Sequence, residues 1–145
     1  GSGEWEYENY FRYLHDKYPD KVGITIGFVP DLARKIYAGA DLFLMPSKSE
    51  PCGLSQMVAL RYGTLPIVRE TGGLKDSITD CGDGQGNGFT FKTYDAYDML
   101  GAIYRGVDAY NSKDWNVLVK RALECDMSWG KSANEYIKMY RSLLK

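Results

Sequence analysis

The sequence predicts an α/β fold: a parallel sheet flanked by helices, followed by a helical C-terminal region. Three observations predict it. Short apolar runs at 22–28, Leu42–Met45, 65–68 and Phe89–Phe91 read as buried strands. Longer segments with apolar residues at helical spacing alternate with them. Beyond residue 92 only helical patterns follow. Strand–helix alternation of this kind favours parallel pairing with helices packed over the sheet.

Each element has its own local reason. In 4–18, Tyr7, Tyr10, Phe11 and Leu14 recur at i, i+3, i+4 and i+7, and Pro19 with Asp20 ends the helix. The run 22–28 is Ile-rich and flanked by glycine, hence a strand. A short helix covers 32–38, opened by Pro30 and stopped by Gly39. After the strand Leu42–Met45 comes a loop, 46–53, then a helix over 54–62 closed by Gly63. The strand 65–68 leads into the turn Thr71-Gly72-Gly73 and a short helix, 74–78. Four glycines in 81–88 suggest a flexible surface loop. Helices are expected over 94–110, starting near Thr93, over 114–125, and from an N-capping Ser128 to about Leu144.

Composition narrows the class. The chain has 145 residues, 44% hydrophobic and 26% charged, so a single soluble domain with its own core is expected over 1–145. Its net charge of −1, without basic clusters, gives no footprint for nucleic acid. No apolar run approaches the ~20 residues needed to span a bilayer, so no membrane partner is expected. Three cysteines, Cys52, Cys81 and Cys125, lack metal-type spacing and argue for a reducing compartment. His15, the single histidine, reads as a solvated or capping residue. The tyrosines at helical spacing (Tyr7, Tyr10, Tyr94, Tyr97 and Tyr104) read as core or inter-helix packing ahead of sugar-stacking platforms.

In parallel sheets ligands bind at the carboxyl ends of the strands, where loops lead into helix N-termini. Two loops qualify: 46–55 and 69–74. In the first, Met45-Pro46-Ser47-Lys48-Ser49-Glu50-Pro51-Cys52-Gly53-Leu54-Ser55-Gln56, two prolines stiffen the backbone. Gly53 removes a side chain where a ligand could approach. The N–H groups of Gly53, Leu54 and Ser55, with the Ser55 hydroxyl, suit a diphosphate. The same residues also fit plainer roles: Glu50 as a partner of the helix dipole, Cys52 as turn packing, Ser55 as a cap.

Four runs carry a resemblance. They are Tyr37-Ala38-Gly39-Ala40-Asp41-Leu42-Phe43-Leu44-Met45-Pro46-Ser47; Glu50-Pro51-Cys52-Gly53-Leu54-Ser55-Gln56; Leu60-Arg61-Tyr62-Gly63-Thr64-Leu65-Pro66; and Arg69-Glu70-Thr71-Gly72-Gly73-Leu74-Lys75-Asp76. Together they resemble the carboxy-terminal domain of bacterial glycogen synthases and plant starch synthases, GT-B glycosyltransferases of the ADP-glucose-using kind. The likeness extends to both ends of the chain, through Gly1-Ser2-Gly3-Glu4, Ser128-Trp129 and the segment 136–144.

The resemblance implies two Rossmann-like domains facing each other across a cleft, of which this chain is the donor-binding one. It implies transfer of glucose, with retention, to the non-reducing end of an α-1,4-glucan held mainly by the amino-terminal domain. It implies ADP-glucose as donor, ahead of UDP-glucose, as a substrate and not a cofactor, with no metal. Glu50 becomes the catalytic candidate, holding sugar hydroxyls and supporting positive charge at the anomeric carbon, not acting as a double-displacement nucleophile. Pro51, Cys52, Gly53, Leu54 and Ser55 line the glucose and diphosphate. Phe28 stands where relatives often have Tyr beside the base. Thr71 and Gly72, with Gly73, shape the cleft floor or form a plain strand-to-helix turn. A second glutamate that many GT-B enzymes carry eight positions after the first is Val58 here. The family's diphosphate-clamping Arg and Lys match nothing in this chain, so the isolated chain is expected to be inactive. A chain cut from such an enzyme is also expected to expose a formerly covered apolar face.

Two further readings stand beside this one: a stand-alone nucleotide-sugar-binding or regulatory module without catalysis, and an unrelated flavodoxin-like domain. The 50–56 run argues against the latter. A start inside a glycine turn, without Met, favours a cut boundary over a natural start. A bacterial cytoplasm is expected, or a plastid for a plant source.

Overall fold

The computed structural model describes residues 1–144, without the side chain of Asp83; Lys145, last residue of the expected domain, lies outside them. The chain divides into two compact units, 1–36 and 37–145, with the boundary inside helix α2 (Pro30–Gly39).

In the first unit, α1 spans Trp5–Lys17, with Glu6 and Glu8 in its first turn and His15 and Lys17 in its last. The two carboxylates and the Lys17 ammonium complement the helix dipole at its two ends. The half-buried His15, expected to be solvated or capping, instead places Nδ1 2.5 Å from the carbonyl oxygen of Val22 in the loop beyond α1. The predicted strand 22–28 is not formed. A strand needs a ladder, and among the described residues the long-range backbone bonds of this run go to a single residue: the Gly1 amino group donates to Thr25 O and Gly27 N–H donates to Gly1 O.

The second unit holds a three-stranded parallel sheet in the order β1 (Leu42–Met45), β2 (Leu65–Arg69), β3 (Phe89–Phe91). Leu42 pairs with Leu65, and Ile67 with both Leu44 and Phe89. β2 is central and buried over its first four residues. Helices α3 (Ser55–Arg61), α4 (Gly72–Ser77), α5 (Ala96–Tyr110) and α6 (Trp115–Glu124) all pack on β2. The core gathers Leu60, Leu65, Ile67, Leu74, Phe89 and Phe91 with Ala102 and Ala122. Each fully buried large side chain there contributes about 1.5–3 kcal/mol by transfer from water. Thr64, fully buried, satisfies its hydroxyl against the carbonyls of Tyr37 and Ala40, at 2.6 and 2.9 Å. That contact closes the entry to β1 against the start of β2.

Three expectations change. The stretch 81–88 is no open loop: it holds a 3-10 turn, Cys81–Asp83, and a parallel bridge between Asp80 and Gly88. Two of its glycines are there for space, since a Cβ on Gly88 would lie 2.6 Å from Pro66 O and one on Gly86 2.1 Å from Asp80 O, while Gly84 has φ +76° and open space around it. α5 begins at Ala96, not near Thr93, because the Asp95 carboxylate accepts from the N–H groups of Tyr97 and Asp98. Ser128 stands at the N-cap of α7 (Trp129–Leu143) but its side chain makes no capping bond.

The tyrosine expectation is overturned outright. Tyr7, Tyr10, Tyr94, Tyr97 and Tyr104 are all exposed. Helical spacing tells which residues share a face, and nothing about what covers that face. α1 and α7 bury no residue at all, and Trp5, Phe11, Trp129, Ile137 and Leu143 add to the exposed apolar surface expected of this chain.

Candidate functional site

The loops that follow β1 and β2 meet at the carboxyl ends of those strands. The Gly73 N–H lies 3.2 Å from the carbonyl oxygens of both Glu50 and Pro51. No side chain fits between the two loops. A Cβ on Gly72 would stand 2.1 Å from Glu50 O, and one on Gly73 1.8 Å from Cys52 O. Gly72 also has φ +45°, a left-handed conformation that glycine adopts without strain. The paired glycines of the turn are therefore what lets the 50–53 backbone lie on it.

From this contact the loop runs into α3. Gly53 is buried with φ +71°, and a Cβ there would strike the Gln56 amide at 2.6 Å. Leu54 is the N-cap, exposed, with no side-chain capping bond. Among the described residues, no acceptor is bonded to the backbone N–H groups of Gly53, Leu54 or Ser55. Pro51 and Cys52 are exposed, Ser55, Thr71 and Glu50 half-buried. No cation among the described residues pairs with the Glu50 carboxylate. The junction thus offers three unclaimed backbone donors, a hydroxyl and an unpaired carboxylate within six consecutive residues. Phe28 belongs to the 1–36 unit, where its ring is 92% exposed. Val58 lines, with Leu54, Arg61 and Ser128, a groove of about 700 Å³ beside α3.

Comparison with known proteins decides what kind of chain carries this junction. The profile of the family described as "Glycosyl transferases group 1" matches residues 1–109. The chain belongs to the group 1 glycosyl transferases. It is 52% identical over an aligned 148 residues to the glycogen synthase of Bacillus cereus, covering all of this chain and 31% of that protein. Against the glycogen synthase of Geobacillus thermodenitrificans the identity is also 52%, covering 30% of that protein. The chain thus spans about a third of the length of these relatives. Its fold is similar to the catalytic domain of starch synthase IV from Arabidopsis thaliana, solved bound to ADP and acarbose. The TM-score there is 0.80 at 37% identity, over 94% of this chain and 30% of that one. A sucrose-phosphate synthase from Thermosynechococcus elongatus shares the fold alone, with TM-score 0.67 at 22% identity.

In this glycosyl transferase chain, sequence reasoning found the loop residues and missed those that hold the loop. Arg69, at the end of β2, donates Nε–H to Ser47 O at 2.9 Å and Nη2–H to Lys48 O at 2.5 Å. Its guanidinium lies over the Tyr94 ring, 5.9 Å from the centroid. Gln56, 0% exposed, donates from Nε2 to Gly53 O at 2.9 Å and to Ser77 Oγ at 3.0 Å. An arginine closing a strand and a glutamine in a helix carry no pattern that announces such partners.

A second polar network ties β3 to α5 in the same chain. Asp80 accepts from the N–H groups of Thr90 and Gly82 and from Arg105 Nη2, at 2.7, 2.8 and 2.9 Å. Thr90 Oγ1 donates to Glu70 Oε1 at 2.8 Å. Burial pushes the Asp80 carboxyl up, but these donors outweigh it and hold it below its ordinary value. Among the described residues no helix is long and apolar enough to cross a membrane.

Proposed function

We propose that this chain is the sugar-nucleotide-binding part of a glucosyltransferase of the glycogen and starch synthase kind. The observation that carries the reading is the seating of the 50–55 loop on Gly72 and Gly73 at the carboxyl ends of β1 and β2. The proposed donor is ADP-glucose, in preference to UDP-glucose, and the similarity to a starch synthase solved with ADP supports the choice of nucleotide. The glucose is transferred, with retention, to the end of an α-1,4-glucan held mainly by parts of the enzyme outside these residues. Free thiols at Cys52 and Cys125 fit a reducing cytoplasm.

The roles follow from the chemistry at the junction. Phosphate leaves with growing negative charge, and fixed donors aimed at it lower the barrier without reorganising. The N–H groups of Gly53, Leu54 and Ser55 and the Ser55 hydroxyl are such donors. Pro51 and Cys52 carry the backbone past the glucose, and Thr71 and Gly72 form the floor. The Glu50 carboxylate, free of any cation, accepts from the sugar hydroxyls and stabilises positive charge at the anomeric carbon. Phe28, on the 1–36 unit, is proposed for the base on the family resemblance alone, with no part in the geometry of the junction. The isolated chain binds the nucleotide weakly and does not catalyse transfer, because three neutral backbone donors do not offset a diphosphate's charge.

Calorimetric titration with ADP and ADP-glucose tests this, on the 145-residue chain and on the full-length transferase that carries it. Ser55→Ala is expected to weaken ADP binding about 10- to 100-fold, in line with a lost hydrogen bond to a charged group. Glu50→Ala is expected to remove only the increment in affinity that the glucose adds. Full-length protein in which both variants bind ADP-glucose as the wild type does would overturn the assignment.

A further inference from the structure

The amide of Gln56 is fully buried, and among the described residues its oxygen has no hydrogen-bond partner. An unpaired buried acceptor is a standing cost to the fold, and a methionine of similar length would avoid it. The other half of the amide explains its presence. Nε2–H donates to Gly53 O and to Ser77 Oγ. The Ser77 hydroxyl in turn donates to Gly73 O at 2.6 Å. Gly73 N–H, on the other side of the same residue, faces Glu50 O. The bonds form a ring: from Glu50 to Gly73, from Gly73 through Ser77 to Gln56, and from Gln56 back to Gly53.

We propose that Gln56, acting through Ser77, is a positioning residue that fixes Gly53 and Glu50 relative to each other across the donor loop. Glu50 and the N–H groups that follow Gly53 lie on one continuous stretch of backbone. Their separation is therefore set by how that stretch is pinned at its two ends. The ring pins both ends to one residue, Gly73. Gly53 completes the fit, because a side chain there would strike the Gln56 amide. The inference rests on the donor-site reading above.

Steady-state kinetics of the full-length transferase with ADP-glucose, beside its melting temperature, tests the proposal. Gln56→Met is expected to lower kcat/KM about 10- to 100-fold, the scale of a small misplacement of reacting groups. Ser77→Ala is expected to lower it less, and Ser77→Thr, which keeps the hydroxyl, to restore it. Combining Gln56→Met with Ser77→Ala should be no worse than Gln56→Met alone, since one relay is cut either way. A purely structural role would lower the melting temperature and leave kcat and KM of the folded enzyme unchanged, which overturns the proposal. Should Gln56→Met fail to fold, the Ser77 pair decides: equal kinetics for alanine and wild type overturn it. A wild-type enzyme that does not turn over ADP-glucose sinks the donor reading and this one together. An active wild type with an indifferent Gln56→Met sinks this one alone.

Discussion

The carbonyl oxygen of Cys52 fills the space in which a side chain on Gly73 would begin, 1.8 Å from the ideal Cβ position. Backbone cannot yield there as the end of a flexible side chain can. Gly73→Ala should therefore push the loop off the turn and cost about 2–4 kcal/mol. Urea denaturation measures the loss. A change below ~0.5 kcal/mol would show that the two loops do not lie this close in solution.

Arg69 holds the loop from its other end, through the carbonyls of Ser47 and Lys48. A planar guanidinium reaches two acceptors at once, and an ammonium group does not reproduce that fork. Arg69→Lys and Arg69→Ala should both free the segment around Lys48. Trypsin cleavage after Lys48, followed by mass spectrometry, should accelerate several-fold in both variants. Unchanged cleavage would mean that the prolines alone stiffen the loop.

Asp80 links stability to pH. Its folded pKa lies below the ordinary value, so folding favours the carboxylate. The stabilisation is fully present above the ordinary carboxylate pKa of about 4 and is lost as pH falls through the lower folded value. Asp80→Asn should be less stable than wild type at pH 7, and the gap should narrow steadily below about pH 4. Urea midpoints between pH 7 and 2 read this out. A gap independent of pH would show that the charge of Asp80 plays no part.

Size does not rank the side chains of this chain. Trp129 is 86% exposed, and Leu74 0%. Leu74→Ala should cost about 2–5 kcal/mol by opening a cavity under α4. Trp129→Ala in the same 145-residue chain should stay within ~0.5 kcal/mol. Comparable losses would mean that α7 folds back onto the core.

Much of the site was legible in the sequence because its signals are local. Two prolines, a glycine and a glutamate between an apolar strand and a helix mark a stiff, ligand-facing loop whatever lies around it. The Gly72 and Gly73 pair was legible as a turn, but its purpose was not. Those residues give way to the backbone of Glu50 and Cys52, some 20 positions earlier in the chain. Gln56 read as an ordinary helical residue, since its partners Gly53 and Ser77 become neighbours of its amide only after α3 and α4 pack.

The sequence by itself determined the α/β class, the three strands β1 to β3, the position of the helices within a few residues, and the loop that carries Glu50. These follow from periodicity, from prolines and glycines, and from backbone geometry over fewer than a dozen residues. Tertiary structure alone decided the rest. The segment 22–28 has the composition of a strand, yet strand formation depends on a ladder partner, and among the described residues its long-range backbone bonds go to Gly1 and no further strand. The tyrosines have the spacing of a packed face, yet burial depends on what is laid over that face. The polar clasp of Arg69, Gln56 and Ser77 depends on distances between residues far apart in sequence, which only the folded chain brings within hydrogen-bond reach.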